Sequence, residues 1–508
     1  MDTIILADWL SARLDRSAAE PMYRQVLELM QQAILTGQLA PGTKLPSSRT
    51  LAIDLGIARN TVLHVYDQLT AEGYVTSTTG SGTYVADTAP RDGVAGNARQ
   101  AEEAKAPCTI SRRGERLIAQ AGVSPKQWGA FMPGVPDVAE FPARTWSRLQ
   151  ARLWKRASPE LLTYAPGGGY RPLRRALSDY LRVARSVKCQ PDQIIITTGI
   201  HQSIDLAVRL LTDFGDRAWV EEPCYWGVRS VLQSSGLTLV PIPVDEEGLN
   251  PTARDMADPP RIALVTPSHQ YPLGMVMSLA RRRALLEFAR QHKVWIIEDD
   301  YDSEFRYGSR PLSSLQGLDD AGQVIYVGSL GKMLYPGLRM GYMVVPDNLV
   351  DSFRTGVAEL YREGQLMQQA VLTEFILDGH LTSHVRRMRG LYGERRELLI
   401  NAIRERFGET LSVRGDEAGL HFVLDLPDSA DDRMIAASAL SAGVVTRPLD
   451  NYYLNRLAAR KGLMLGYACV PNDQIAPHFD KLADVVEQAI SPGSSKRVVT
   501  SIESASIK

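Results

Sequence analysis

The chain has 508 residues and nearly balanced charge, 57 Lys+Arg against 58 Asp+Glu, for a formal net charge of −1. Its 44% hydrophobic and 23% charged residues are those of a soluble globular protein, which excludes disordered, collagen-like and membrane-embedded classes. At roughly 150 residues per domain about three compact units are expected, and the neutral total argues against a uniformly basic nucleic-acid coat while leaving room for a local basic face.

Four cysteines, Cys108, Cys189, Cys224 and Cys469, are too far apart for a CxxC zinc or redox motif, which points to a reducing compartment. The apolar run Ile4, Ile5, Leu6, Ala7 is cut by Asp8 and lacks a basic leader, so it does not read as a secretory signal. No stretch approaches the roughly 20 apolar residues of a membrane helix. A cytoplasmic protein is expected.

From Pro21 to Val85 the pattern predicts three short helices and a hairpin. Val26, Met30 and Ala33 or Ile34 share one face of a helix over Met22 to Leu35, which Gly37 and Pro41-Gly42 end. Ser47 or Ser48 can cap a second helix carrying Leu51 and Leu55, and Gly56 allows a tight turn into a third. There Val62, Val65, Tyr66 and Leu69 form the buried stripe before Gly73. The segment Tyr74 to Val85, around Gly80, Ser81 and Gly82, has the short β-prone runs of a two-stranded wing.

A helix-turn-helix presents the start of its second helix to base edges, which here means Arg59, Asn60 and Thr61, with His64 one turn on. Arginine can take guanine, asparagine suits adenine, and threonine can touch a phosphate or a thymine methyl. Lys44 and Arg49 are placed for phosphates, and Gly82 lets the wing backbone approach the minor groove. Residues 21–85 hold four cations (Arg24, Lys44, Arg49, Arg59) and four acids (Glu28, Asp54, Asp67, Glu72), so position rather than net charge carries the reading. The runs PGTKLPSSR, ARNTVLHVYDQLTAEGYV and TGSGTYV together resemble the winged helix of the GntR transcription-factor family.

Residues from about Thr88 to Ser124 are rich in Pro, Gly, Ala and mixed charge and read as a linker. Beyond Phe131, helices alternate with short apolar runs at 194–197, 218–220, 262–265, 294–297, 324–327 and 342–345, the pattern of a mostly parallel sheet covered by helices. A helix after about Val385, strands at 419–424 and 463–467 and a closing helix at 474–489 suggest a smaller α+β subdomain. The expected division is 1–87, a linker at 88–125, a large unit at 126–490 with its small part from about 385, and a polar tail at 491–508.

The large unit has the side chains a pyridoxal phosphate site needs: a Schiff-base lysine, an acid for the pyridinium nitrogen and groups for the phosphate. After the strand at 294–297, Asp299 could hold the ring proton and Tyr301 the phenolic oxygen. Lys332 follows Ser329 on a loop after another strand, with Arg339 beyond it, so an imine and a phosphate grip can be neighbours. In IIITTGIHQ a strand runs through Gly199 into a helix, leaving the N–H groups of Ile200 and His201 at its positive end. Tyr225 could stack on the ring.

The runs FMPGVPDVAEFP, LTYAPGGGYRPLRRAL, VTPSHQYPLG, IIEDDYDSEFRYGSRPLSSLQGLD and GSLGKMLYPGLRMGYMVVP resemble the class I aminotransferase domain of MocR-type regulators, GntR-family proteins that fuse a winged helix to an aminotransferase-like domain of fold type I. The resemblance implies pyridoxal 5'-phosphate on Lys332, Asp299 and Tyr301 against the ring, Tyr225 stacked on it, and Arg339 with Ser329 at the phosphate. It implies that Tyr164 is lent to the partner's phosphate in a head-to-tail homodimer. Two positions depart from the pattern. Gly331 stands where the family usually has a serine before the lysine, and Met464, four residues before Ala468, stands where working aminotransferases generally carry the arginine for the substrate carboxylate. Arg447 is a candidate replacement, with a surface arginine the other reading. The resemblance implies a DNA-binding transcriptional regulator that senses an amino acid, an amine or the cofactor itself on double-stranded operator DNA. The alternative is an active aminotransferase whose N-terminal unit serves docking or dimerisation. Met464 favours the regulator.

Overall fold

A computed structural model describes residues 3–78, 81–87, 109–119, 126–165, 167–308, 313–362 and 364–491. Cys108, Gly80 of the wing, Pro166 of LTYAPGGG, most of the expected linker and nearly all of the polar tail lie outside them. The chain divides into two compact units, Met1–Thr109 and Ile110–Lys508.

In the first unit, helices Met22–Leu35, Ser48–Leu55 and Arg59–Ala71 precede strands β1 (Val75–Thr78) and β2 (Gly82–Val85), paired antiparallel with Val75 opposite Val85. Ser47 caps the middle helix by accepting from the Thr50 N–H at 3.1 Å. Val62, Val65, Tyr66 and Leu69 are buried, and the Tyr66 hydroxyl donates to the Pro46 carbonyl at 2.8 Å, tying the recognition helix to the preceding loop. One element was not anticipated. The run at Ile4 forms a helix, Thr3–Ser11, whose Leu6 and Leu10 enter the same core as Val26, Met30 and Leu51. With only nine residues it offers too few helical turns for its periodicity to stand out in the sequence.

The second unit is built on an eight-stranded sheet. Its strands are β3 (Ile194–Thr197), β4 (Arg217–Glu222), β5 (Thr238–Asp245), β6 (Gly248–Leu249), β7 (Ile262–Val265), β8 (Trp295–Asp300), β9 (Val324–Ser329) and β10 (Gly341–Val344), in the order β3-β10-β9-β8-β7-β4-β5-β6. The strands from β9 to β5 run parallel, while β10 is antiparallel to both neighbours. Ile296 and Ile297 of β8 enter cores on opposite faces, so the sheet is covered on both sides and its strands read as continuous apolar runs. Strand β5 escaped the sequence reading because Pro241 and Pro243 interrupt it; it pairs with β4 on one side and meets only the two-residue β6 on the other, where lost N–H donors cost little. Strand β8 runs to Asp300, three residues beyond the expected end, so Asp299 lies in the strand rather than after it.

Within the stretch expected to be a linker, Arg112–Ala119 is helical and Arg113 donates to the Ser234 carbonyl. The smaller subdomain is a four-stranded antiparallel sheet, β11 (Val413–Arg414), β12 (His421–Asp425), β13 (Arg447–Pro448) and β14 (Gly462–Gly466), in the order β11-β12-β14-β13. The helix leading into it, His380–Phe407, begins five residues before the expected Val385. Helices Asp432–Ser441 and Asn472–Ile490 follow. From the first of these three helices, Arg395 makes a buried ion pair with Asp137 at 2.8 Å and reaches Asn472 at 2.9 Å. The pair holds the segment before Val138 against the smaller subdomain.

Candidate functional site

In an open α/β sheet, ligands bind outside the carboxyl ends of the parallel strands, where the chain leaves the sheet and backbone groups are free. Here a cavity of about 500 Å³ opens at that edge. Asp299 enters it from β8, Ser329 from β9, Gly199 to His201 from the turn after β3, and Tyr225 and Tyr271 from the segments after β4 and β7. Lys332, Tyr301, Arg339 and Arg447 complete the set of predicted residues that line it.

Lys332 lies in the short helix Leu330–Met333, and its Nζ donates to the Gly134 carbonyl. Burial lowers its pKa, opposed by Asp302 and Asp299, so the amine is held toward its neutral, nucleophilic form. Gly134 must be a glycine: its φ is +68° and a Cβ there would lie 3.0 Å from Nζ. Asp299 is buried, and desolvation, with Asp300 and Asp302 adding repulsion, raises its pKa to about 8. A cation placed against this carboxyl would ionise it.

Tyr301 is buried, and its Oη lies 2.9 Å from His269 Nδ1, which is 3.1 and 3.2 Å from the two Asp302 oxygens. With the proton on Nδ1, its single N–H is shared between Asp302 and the Tyr301 oxygen, and Tyr301 keeps its own O–H to donate into the cavity. Burial pushes the phenol pKa well above its ordinary value, which preserves that donor.

At the other pole, Gly199 caps the twelve-residue helix Ile200–Leu211, whose first N–H groups face outward from the helix start, and a Cβ at Gly199 would come within 3.9 Å of an Arg339 nitrogen. Ser329, Arg339 and this helix start line the same part of the cavity, a hydroxyl, a guanidinium and backbone donors of the kind that suit an anion. At Gly331 a Cβ would meet nothing closer than Pro336 Cα at 3.5 Å, so the missing serine is not excluded by space. Tyr164 is placed elsewhere. It is 73% exposed under the Arg362 guanidinium, 5.5 Å away, and does not line its own chain's cavity.

Arg447 of β13 pairs in register with Met464 of β14, the position where the arginine was missing. Met464 is fully buried in an apolar cluster, and the cation stands on the adjacent strand instead. No sequence spacing relates 447 to 464; only strand pairing does. The residues that sequence reasoning left unassigned are His269, Tyr271, Trp226, Tyr452 and Trp128. The first two sit in the quoted run VTPSHQYPLG, whose polar and aromatic residues after a buried strand were the available signal.

Burial raises the carboxyls of Glu221, Glu298 and Glu304 to about 7 and that of Asp299, which lines the cavity, to about 8. In that range the folded chain binds more protons than the unfolded one, so stability present at lower pH is lost as pH rises through these values. The cofactor-free protein is therefore expected to melt at a lower temperature at pH 8.5 than at pH 6, and a cation against Asp299 should shrink that difference, as calorimetry with and without cofactor can measure.

In the N-terminal unit, Lys44, Arg49, Arg59 and Asn60 are exposed and Thr61 is half-exposed at the start of the helix Arg59–Ala71, whose N-cap Ala58 provides no side-chain acceptor. Gly82 has a second reason to be glycine. Its φ is +119°, and a Cβ would lie 2.8 Å from Lys44 Cε, because the lysine crosses the wing toward the Tyr84 ring.

A parallel sheet with a buried lysine, acid and anion site at its carboxyl edge defines an aminotransferase-like fold, here in a chain that also carries a winged helix. Residues 137–491 match the family model for aminotransferase class I and II, and residues 22–85 that for bacterial regulatory proteins of the gntR family. The chain is 40% identical over 458 residues to the probable rhizopine catabolism regulatory protein MocR of Rhizobium meliloti, covering 90% of this chain and 92% of that one. It is 30% identical to the pyridoxine biosynthesis transcriptional regulator PdxR of Corynebacterium glutamicum, over 91% and 95% of the two chains. Among solved structures, a kynurenine aminotransferase of Pyrococcus horikoshii superposes with a TM-score of 0.67 at 24% identity, over 76% of this chain and 96% of that one. The chain belongs to the MocR-type regulators, in which a gntR winged helix is fused to an aminotransferase domain. It is a DNA-binding transcriptional regulator whose large domain takes pyridoxal 5'-phosphate. Among the described residues, no helix is long and apolar enough to cross a membrane.

Proposed function

We propose that the protein, a cytoplasmic head-to-tail homodimer, regulates transcription in response to an amino acid or amine that takes the place of Lys332 on the cofactor. The observation that carries this reading is the convergence of Lys332, Asp299, Tyr301, Ser329, Arg339 and a helix start on one cavity, while the arginine position of working aminotransferases is a buried methionine. The chemistry that pyridoxal phosphate would supply there is an electrophilic aldehyde carbon and an electron-withdrawing ring.

Lys332 holds the group covalently and Tyr225 packs against the ring face. Asp299 ionises against the ring nitrogen, and Tyr301 donates to the phenolic oxygen. Ser329, Arg339 and, beyond the turn at Gly199, the N–H groups of Ile200 and His201 would hold the phosphate, to which the partner subunit's Tyr164 would be added. Arg447 takes the carboxylate of the effector. In the N-terminal unit, which we bound at residues 1–87, Arg59, Asn60 and Thr61 read bases, while Lys44, Arg49 and the wing at Gly82 contact phosphates. The effector controls the orientation of the DNA-reading units only through its differential affinity for two conformations of the large domain.

Incubating the loaded protein with amino acids and acceptor keto acids tests the reading against an enzyme. No sustained turnover is expected; transamination at about 1 per second or faster would favour an aminotransferase.

A further inference from the structure

The charge inventory of the cavity limits what the effector can be. Among the described residues that line it, the guanidinium cations are Arg339 and Arg447, Lys332 is an amine that burial holds toward its neutral form, the one carboxyl is Asp299, and His201 is held toward its neutral form by burial and by Arg339. The cofactor engages Lys332, Arg339 and Asp299 in the reading given above, on which this inference rests. What remains is one guanidinium and no acid.

Arg447 touches the Lys126 carbonyl at 3.3 Å and Met132 Sδ at 3.6 Å, and among the described residues it has no ion-pair partner. A half-buried guanidinium that lines a cavity and has no acid beside it is a receptor for an anion. The wall around it is apolar and aromatic. Tyr271 sits edge-on to Tyr225 and to Tyr452, both with centroids 5.5 Å apart, and Trp226 lies 5.0 Å from Tyr225, with Trp128 and Val138 toward the mouth. Edge-on ring clusters of this kind accept a further ring at little cost in specific hydrogen bonds.

We infer that the effector is an amino acid with a single carboxylate and an uncharged, aromatic side chain. The carboxylate pairs with Arg447, the amine reaches the position of Lys332 Nζ, and the ring occupies the aromatic wall. A second carboxylate would find no second free cation. A distal ammonium or guanidinium would find no acid and would face the like charge of Arg447.

The test follows the cofactor's absorption band in the full-length, loaded protein during titration with L-phenylalanine, L-alanine, L-glutamate, L-lysine and phenethylamine. Phenylalanine should reach half-saturation at a concentration at least about tenfold lower than alanine, glutamate or lysine. Phenethylamine, which has the ring and amine but no carboxylate, should be roughly 10- to 100-fold weaker than phenylalanine. Arg447→Met should weaken phenylalanine by a similar factor and leave phenethylamine unchanged, with an unaltered starting spectrum showing that the variant is folded and loaded. A lower half-saturation for alanine, glutamate or lysine than for phenylalanine would overturn the inference, as would an Arg447→Met variant that weakens both ring compounds equally. If no amine shifts the band of the loaded protein, the exchange at Lys332 itself fails, and the inference with it.

Discussion

Lys332→Ala is expected to yield a folded, colourless protein that does not retain pyridoxal phosphate through desalting and whose operator binding no longer responds to any amine. Among the described residues the side chain is the one primary amine lining a cavity whose other predicted contacts include Asp299, Tyr301, Ser329 and Arg339. Removing it deletes the covalent attachment while leaving the stacking and phosphate contacts, so weak reversible binding of the cofactor should survive. The fold should not suffer, because the amine is desolvated where it stands and donates to the Gly134 carbonyl alone among the described residues. Melting temperatures of the cofactor-free wild type and variant should therefore agree, or the variant should be slightly higher. A variant that keeps the band and its response would place the reactive lysine elsewhere.

The second large effect concerns DNA. Arg59 is the first residue of the recognition helix, exposed and followed by Asn60 and Thr61. Arg59→Ala should cost about 1–3 kcal/mol for each half-site and relax the preference at one base position. With two helices engaged in the dimer, operator affinity should fall roughly 30-fold or more at fixed salt. Lys44→Ala should behave differently, weakening operator and unrelated DNA alike and lowering the slope of log affinity against log salt by about one per lysine. Its long side chain crosses the wing over Gly82, away from the start of the helix Arg59–Ala71, which is why phosphate contact is the expected role. An Arg59→Ala protein with unchanged affinity and salt slope would show that the reading helix is misplaced.

The winged helix could be read residue by residue because each element is local. The stripe Val62, Val65, Tyr66, Leu69 and the Ser47 cap follow from spacing and from side-chain chemistry within a few residues. The candidate cofactor residues could be proposed for another reason, since Asp299, Ser329, Lys332 and Arg339 stand in runs whose order resembles a family, and the structure brings all four to one cavity. What the sequence concealed was long-range. His269 matters because it lies beside Tyr301 and Asp302, more than thirty residues away. Arg447 enters the cavity because β13 pairs with β14, an arrangement that no periodicity along the chain encodes. The prolines in β5 and the brevity of the first helix hid two further elements. The net charge of −1, which seemed to count against nucleic acid, averages a few placed cations over a large, nearly neutral body.

The central claim is that one event, replacement of Lys332 by an effector amine on the cofactor, governs DNA binding. It is tested most directly by titrating the loaded protein with an amino acid in the presence of labelled DNA from its own promoter region, reading cofactor absorbance and DNA binding in the same sample. Coincident midpoints in the wild type, with no DNA response in Lys332→Ala, are the predicted result. A DNA response without a change in the cofactor band, or a complete change in the band that leaves DNA binding untouched, would contradict it.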